Sequence, residues 1–338
     1  MDYMFGSRWS NHQQGGIMMR KVKWGVLSTA DIARRETIPG MQKAGNCELY
    51  AIAGRSLEKA NQFKEAFGFE KAYGSYDELL EDKEVEAVYI PLPNNLHKEW
   101  VIKAAKAGKH ILCEKPMSGN AADTKEMIDA ANEAGVILME AFAYLHSPHM
   151  TKLKEQIDSG LIGEVNMIES VFHTPGYDDN IRIRRENLGG SMYDLGCYAI
   201  SFSNWLLGDK PYEGKAVASF TDEKIDDLAT GFLLYPGNRR ALVASAMFPY
   251  QRGDGSFIYG TKGTLEVPIS FNAEGLQKWY LVTEEGKIEF TIDIPQNYML
   301  EVEQLGRCIL EGEKPHVSHE FSIGTAEAID MILKSMNY

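Results

Sequence analysis

The sequence predicts an α/β chain in two parts. A doubly wound parallel sheet comes first, and an α+β domain with a large, mostly antiparallel open sheet follows. Three observations predict this. The first 140 residues alternate short apolar runs with helical patterns, the rhythm of βαβ units whose helices cover both faces of a parallel sheet. Beyond residue 150, strand-like runs follow one another with Gly-containing turns between some of them, as antiparallel pairing requires. The 338 residues hold two such units at roughly 150 residues per domain.

In chain order, Val22–Leu27 reads as a buried strand, followed by a helical stretch from Ile32 that Pro39 interrupts and a second strand at Cys47–Ala53. Ser56 is a good N-cap for a helix through Phe67, which Gly68 ends. Tyr76–Leu80 is a short helix and Val85–Ile90 a strand. A helix from about Asn95 to Ala107 stops at Gly108, before the strand His110–Cys113. Asn120 caps a helix that ends before Gly135, and Val136–Met139 is again a strand. The second half opens with a helix near Pro148–Asp158. Its strands are Val165–Phe172, Ala216–Phe220, Gly231–Tyr235, Ala241–Phe248, Thr264–Val267, Trp279–Val282 and Ile288–Ile294. Turns are expected at Pro236-Gly-Asn, Arg252-Gly-Asp-Gly and Glu284-Glu-Gly. A helix from about Ser191 to Leu207 interrupts the strands, and helices near Tyr298–Leu310 and Glu320–Lys334 close the chain. Residues 1–18 read as a disordered leader or tag, 19–140 as a dinucleotide-binding domain, and 141–338 as a substrate-binding and oligomerisation domain.

Composition excludes several classes of function. Net charge is −13, so phosphate backbones are repelled and nucleic acid is not expected as a partner. The densest basic run, Arg182-Ile183-Arg184-Arg185, stands beside Asp178, Asp179 and Glu186. Cys47, Cys113, Cys197 and Cys308 lie far apart without a C-x-x-C pair, which argues against zinc and against a disulfide scaffold. No run approaches 18 apolar residues, so no membrane span is predicted and a cytoplasmic protein is expected. His146 and His149, near Glu140, have a spacing that could bind metal, but Pro148 intervenes and no third ligand is evident. His316 and His319 read as cap or surface residues. Phe142, Tyr144, Phe172, Trp205 and Tyr250 read as core aromatics first and sugar-pocket walls second.

The chemistry concentrates at three places. The first strand runs into Gly25-Val-Leu-Ser28-Thr29-Ala30-Asp31-Ile32-Ala33. Ser28, Ala30 and Ala33 occupy the G-x-G-x-x-G/A positions of the Rossmann dinucleotide fingerprint. Small residues there still let backbone N–H groups reach a pyrophosphate at a helix N-terminus. A ribose-binding carboxylate is normal at the end of the second strand. This chain has Gly54-Arg55-Ser56, which favours the 2′-phosphate of NADP over NAD. Glu114-Lys115-Pro116 follows the strand His110–Cys113 and delivers a lysine to the carboxyl edge, where ligands bind. Beside a cationic nicotinamide its pKa should fall, suiting proton transfer. Pro91, Leu92, Asn94 and His97 follow the preceding strand at the same edge. Finally, Gly189-Gly190-Ser191-Met-Tyr-Asp194-Leu-Gly-Cys-Tyr198 places Asp194 and Tyr198 four apart on one helix face.

Together, in this order and spacing, these motifs resemble the Gfo/Idh/MocA oxidoreductase family from about Lys21 to the C-terminus. The resemblance implies a Rossmann domain followed by a mostly antiparallel sheet domain whose open face builds homodimers or homotetramers. It also implies that Lys115 is the catalytic lysine. D-x-x-x-Y, in place of the D-x-x-x-H of inositol dehydrogenases, resembles the branch of dimeric dihydrodiol dehydrogenases, glucose–fructose oxidoreductase and D-xylose dehydrogenases, with nucleotide-sugar ketoreductases nearby. The expected reaction is hydride transfer between NADP (with NAD the alternative cofactor) and a carbinol carbon of a sugar, polyol or trans-diol. Lys115, Tyr198 and Asp194 would be catalytic. Ser28, Thr29, Ala30, Asp31, Ile32, Arg55, Ser56, Pro91, Leu92, Asn94, His97 and Glu114 would, with Lys115, hold the cofactor. Two alternatives stand beside this reading: an NAD-dependent glycoside hydrolase of the same fold, against which Arg55 speaks, and an NADP-holding redox sensor without turnover, which would not need both Lys115 and Tyr198.

Overall fold

The computed structural model describes residues 20–247, 253–268, 271 and 274–338. The expected leader, Phe248 and Tyr250 lie outside the described residues. The first sheet has six parallel strands in the order β3-β2-β1-β4-β5-β6. They are β1 (Val22–Leu27), β2 (Cys47–Ala53), β3 (Lys71–Tyr73), β4 (Ala87–Ile90), β5 (His110–Glu114) and β6 (Leu138–Ala141). β4, β5 and β6 are almost wholly buried, as expected of strands covered on both faces. The crossover helices are α1 (Ile38–Lys43), α2 (Leu57–Phe67), α3 (Tyr76–Glu81), α4 (His97–Lys106) and α5 (Ala121–Ala134). Ser56, Ser75 and Asn120 cap α2, α3 and α5 through their side chains, and left-handed Gly68 and Gly135 end α2 and α5. Strand order reverses between β1 and β4, which opens a crevice at the carboxyl ends of the strands.

After α6 (Pro148–Asp158), an eight-stranded sheet runs in the order β14-β13-β12-β11-β7-β10-β9-β8. Its strands are β7 (Val165–Thr174), β8 (Glu213–Phe220), β9 (Asp226–Tyr235), β10 (Arg239–Met247), β11 (Gly253–Gly260), β12 (Thr264–Val267), β13 (Gly275–Thr283) and β14 (Gly286–Ile294). Every neighbouring pair is antiparallel except β7 with β10, which is parallel. One face packs on α7 (Cys197–Leu207) and α9 (His319–Ser335). By register, Val217, Phe232, Leu242, Phe257 and Leu276 share the other face, all exposed. α8 (Asn297–Glu311) packs on α1, and α9 packs on α5, where Asp330 accepts the Ala121 N–H.

Two strands and two helices differ from expectation. The three-residue edge strand β3 is too short to show a period. β11 occupies a stretch expected to begin as a turn. Its glycines serve close approach instead: a Cβ on Gly260 would sit 2.1 Å from the Ile162 carbonyl, and one on Gly253 2.6 Å from the His173 ring. The helices from Ile32 and Ser191 both begin with a wide π turn, Ala33–Thr37 and Met192–Gly196.

Candidate active site

At the carboxyl edge of the parallel sheet a cleft of about 1030 Å³ runs from the β1 turn to the second domain. Ser28, Thr29, Ala30, Asp31, Ile32, Arg55, Ser56, Pro91, Leu92, Asn94, Glu114, Lys115 and Asp194 line it, as the sequence predicted. Ser28 stands where the fingerprint has its first glycine and adopts φ 156°, backbone that glycine takes freely and a side chain does not. The first turn after it opens at Ala30, whose carbonyl accepts the Arg34 N–H at 3.0 Å. The N–H groups before Arg34 are thus the orphan donors of a helix start and face the cleft. Asp31 does not compete for ribose hydroxyls: its carboxylate is taken by Arg34 at 2.6 Å and Arg35 at 2.8 Å. Lys59, which the sequence reading missed, lines the cleft beside Arg55. Its signal was there, beyond Arg55 in the first turn of α2. Neither cation has a carboxylate partner among the described residues. A small-residue turn, a helix start and two unpaired cations fit a dinucleotide with a 2′-phosphate.

At the other end, Glu114 closes β5 and is locked from behind. Thr37 donates to the Tyr89 hydroxyl at 2.9 Å, Tyr89 donates to Glu114 at 2.5 Å, and the second Glu114 oxygen accepts the Lys115 N–H at 3.2 Å. This aims Lys115 across to the second domain. Its ammonium donates to the Asp194 carbonyl at 2.7 Å and lies 3.3 Å from Asp194 Oδ1 and 4.5 Å from the centre of the Tyr198 ring. Asp194 also accepts from Arg182 Nε at 2.8 Å and from the Tyr177 hydroxyl at 3.0 Å. Burial would raise this carboxyl, but Arg182 and Lys115 hold it at about 2. Burial is the strongest single influence on Lys115 and lowers its pKa, yet Asp194, Cys197 and Glu114 together outweigh it and the net direction is up. The fall expected beside a cationic nicotinamide belongs to the cofactor-loaded site; among the protein's own groups the carboxylate of Asp194 lies 3.3 Å from the ammonium.

Asp226 of β9 organises the helix that carries Asp194. Its Oδ2 accepts the Met192 N–H and the Ser191 hydroxyl, each at 2.7 Å. Gly190, at φ 113°, is required there, because a Cβ would lie 2.2 Å from Asp226 Oδ1.

Two predicted residues take different places. His97 does not line the cleft. It is fully buried, with Nε2 2.8 Å from the Leu92 carbonyl and Nδ1 3.0 Å from the Pro116 carbonyl, and so pins the loop after β4 to the Glu114-Lys115-Pro116 turn. Tyr198 lies under Lys115 in a cage of Phe142, Tyr144, Phe172 and Phe271, and is 7% exposed. The π turn between Asp194 and Tyr198 breaks the expected one-above-the-other spacing. The amine thus meets the face of the ring, where a cation–π contact holds it. Phe142, Tyr144 and Phe172 are core, and Trp205 is half-buried against His316. His146 and His149 are buried, and no group of three or more potential metal ligands occurs among the described residues. His316 and His319 are not simple caps: their rings bond the Leu145 and Leu138 carbonyls. The rear wall of the cleft runs from Asp179 to Gly189, overlapping the loop His173–Glu186 whose geometry the sequence left unreadable.

Residues 22–142 match the oxidoreductase family with an NAD-binding Rossmann fold, and residues 150–266 match the Gfo/Idh/MocA C-terminal domain. The chain belongs to the Gfo/Idh/MocA oxidoreductase family. It is 36% identical to an NADP(+) D-xylose 1-dehydrogenase of Haloferax volcanii over 92% of this chain and 96% of that one. It is 31% identical to a trans-1,2-dihydrobenzene-1,2-diol dehydrogenase of Xenopus laevis, over 92% and 96%. A 3-ketoreductase from Actinomadura kijaniata, solved with NADP and TDP-benzene, superimposes with a TM-score of 0.89 at 28% identity, covering 94% of this chain and 98% of that one. The part that matches the Rossmann model carries the cleft's front wall, and the part that matches the C-terminal model supplies the rear wall.

Proposed function

We propose that this chain is an NADP-dependent oxidoreductase of CH–OH groups in which Lys115 and Tyr198 manage the proton. NADP, when bound, supplies or accepts the hydride. Its substrate is a sugar, polyol or trans-diol, the classes on which the xylose and diol dehydrogenase relatives are named to act. Ser28–Ile32 would cradle the pyrophosphate, and Arg55 with Lys59 would take the 2′-phosphate. The observation that carries the reading is the Lys115 ammonium at the carboxyl edge of the Rossmann sheet, held by Asp194 over the Tyr198 ring. Burial pushes the Tyr198 phenol up, and the groups around Lys115, Asp194 first among them, together raise its ammonium against burial, so the resting site holds both protons. That is the form which ketone reduction consumes. In the oxidative direction the same pair must first be relieved of a proton. The ammonium also stabilises an alkoxide in either direction, because a fixed charge in a buried site acts strongly.

Lys115→Met should fold and bind NADPH with near-normal affinity but lose at least about a hundredfold in kcat. Fluorescence titration and steady-state rates with an aldose and a trans-diol measure this, and near-normal turnover would refute the role. Homodimers or homotetramers would form on the bare sheet face carrying Val217, Phe232, Leu242, Phe257 and Leu276, since apolar side chains shared along one face mark an interface. Sedimentation velocity reads that state, and a monomer at micromolar concentration excludes the interface. No helix among the described residues is long and apolar enough to cross a membrane.

A further inference from the structure

The densest basic run in the chain stands at the rear wall of the cleft, yet offers no uncommitted cation. Arg182 spends Nε on Asp194 at 2.8 Å and Nη1 on Asn180 Oδ1 at 3.2 Å, and its guanidinium lies 5.5 Å from the centre of the Tyr177 ring. Arg184 pairs with Asp179 and with Glu223, each at 3.3 Å. Arg185 donates to the Lys224 carbonyl at 2.7 Å and lies 3.6 Å over the Tyr338 ring. The Lys115 ammonium is held on Asp194. Glu114, Asp179, Glu186 and Asp194 add carboxylates to the same half of the lining. The cofactor end is the reverse: Arg55 and Lys59 line it without a carboxylate partner among the described residues.

Phosphate recognition uses guanidinium or ammonium donors that are free to turn to the ligand. At the rear wall a phosphate would have to displace a carboxylate from Arg182 or Arg184, the two arginines that line the cleft, and then sit beside the displaced one, which like-charge repulsion opposes. An uncharged polyol meets no such cost, because hydroxyl groups donate to the wall's carboxylates and accept from its N–H groups without breaking an ion pair. We propose that the substrate of this cleft is an uncharged polyhydroxyl compound or diol, and that phosphorylated and nucleoside-diphosphate-linked sugars are excluded by the internally paired arginines. The proposal rests on the NADP-dependent reading above and narrows its substrate class.

The test titrates thymidine diphosphate, a nucleoside diphosphate without a sugar, into the full chain saturated with NADP, followed by calorimetry. A Kd weaker than about 1 mM is expected, and a tighter one overturns the proposal. Asp179→Asn combined with Glu223→Gln strips Arg184 of both carboxylates and should tighten thymidine diphosphate by at least roughly tenfold. Unchanged affinity would show that arginine pairing is not the excluding device. Turnover supplies a second arm: kcat/KM for a neutral aldose or cyclic trans-diol should exceed that for the matching sugar phosphate by at least about tenfold, and the opposite ratio overturns the proposal. Should no compound turn over, the dehydrogenase reading fails, while the titration still decides the charge question.

Discussion

Arg55 and Lys59 act as a pair because of where the second strand ends. β2 stops at Ala53, Gly54 lets the chain turn close to Thr29, and α2 starts at Leu57, so Arg55 in the turn before the helix and Lys59 in its first turn both line the cleft. Each is available for charge-assisted hydrogen bonds, worth about 1.5–3 kcal/mol apiece. Arg55→Ala with Lys59→Ala should therefore weaken NADP by at least roughly a hundredfold and leave NAD nearly unchanged. Fluorescence titrations with both cofactors decide it, and an equal loss for both would mean that the pair does not read the 2′-phosphate. Asp194 shows the limit of reading residues singly. The motif suggested a catalytic carboxylate on one helix face with Tyr198. In the fold its oxygens already accept from Lys115, Arg182 and Tyr177, so its role is to fix an ammonium and a loop in place.

At the scale of elements, the helix that begins at Met192 depends on a carboxylate from another strand. Its first residues lack a side-chain cap of their own, and Asp226 accepts Met192 N–H and the Ser191 hydroxyl from β9. Asp226→Ala leaves the buried Met192 N–H unpaired, at about 1–3 kcal/mol, while the Ser191 hydroxyl keeps Ser245 as a partner, and should lower the urea midpoint accordingly. A midpoint within error of the parent would show that water replaces the cap. Such a contact is invisible in sequence because 34 positions separate Asp226 from Met192. What was legible was local: buried β-strands as continuous apolar runs, Ser56 and Asn120 as caps, Gly68 and Gly135 as stops. The front wall of the cleft was legible for the same reason, since it is made of strand ends. The rear wall was not, because Arg182 and Tyr177 reach Asp194 only through tertiary packing. His97 misled because a position at a carboxyl edge does not determine which way a ring turns. Here the ring turns inward to two carbonyls.

Across the whole molecule, buried ionisable groups pull stability in opposite directions with pH. Burial drives His146 well down and His149 to about 4. Between the ordinary histidine value near 6.5 and about 4, the unfolded chain takes up protons that the folded one refuses, so stability falls as pH drops through that window. Burial raises Asp226 to about 6 and Glu140 to about 7. For these acids the folded state keeps a proton that the unfolded chain releases, so their contribution is full below the unfolded value and is lost as pH rises through the folded one. Glu140 is the sharper case. It is 2% exposed on β6 and accepts the Met117 N–H at 2.7 Å just past Pro116, which ties β6 to the Lys115 turn. Glu140→Gln keeps an acceptor for Met117 and supplies an amide donor where the neutral acid had a hydroxyl, but it cannot ionise. Relative to the parent, its unfolding free energy should therefore gain about 2–3 kcal/mol between pH 5 and pH 8, since a tenfold difference in acidity between the folded and unfolded carboxyl is worth about 1.4 kcal/mol. Urea unfolding at the two pH values reads this difference. A gap between variant and parent that is the same at both would mean that Glu140 is already ionised in the folded protein, and the charge next to the Lys115 turn would have to be counted again.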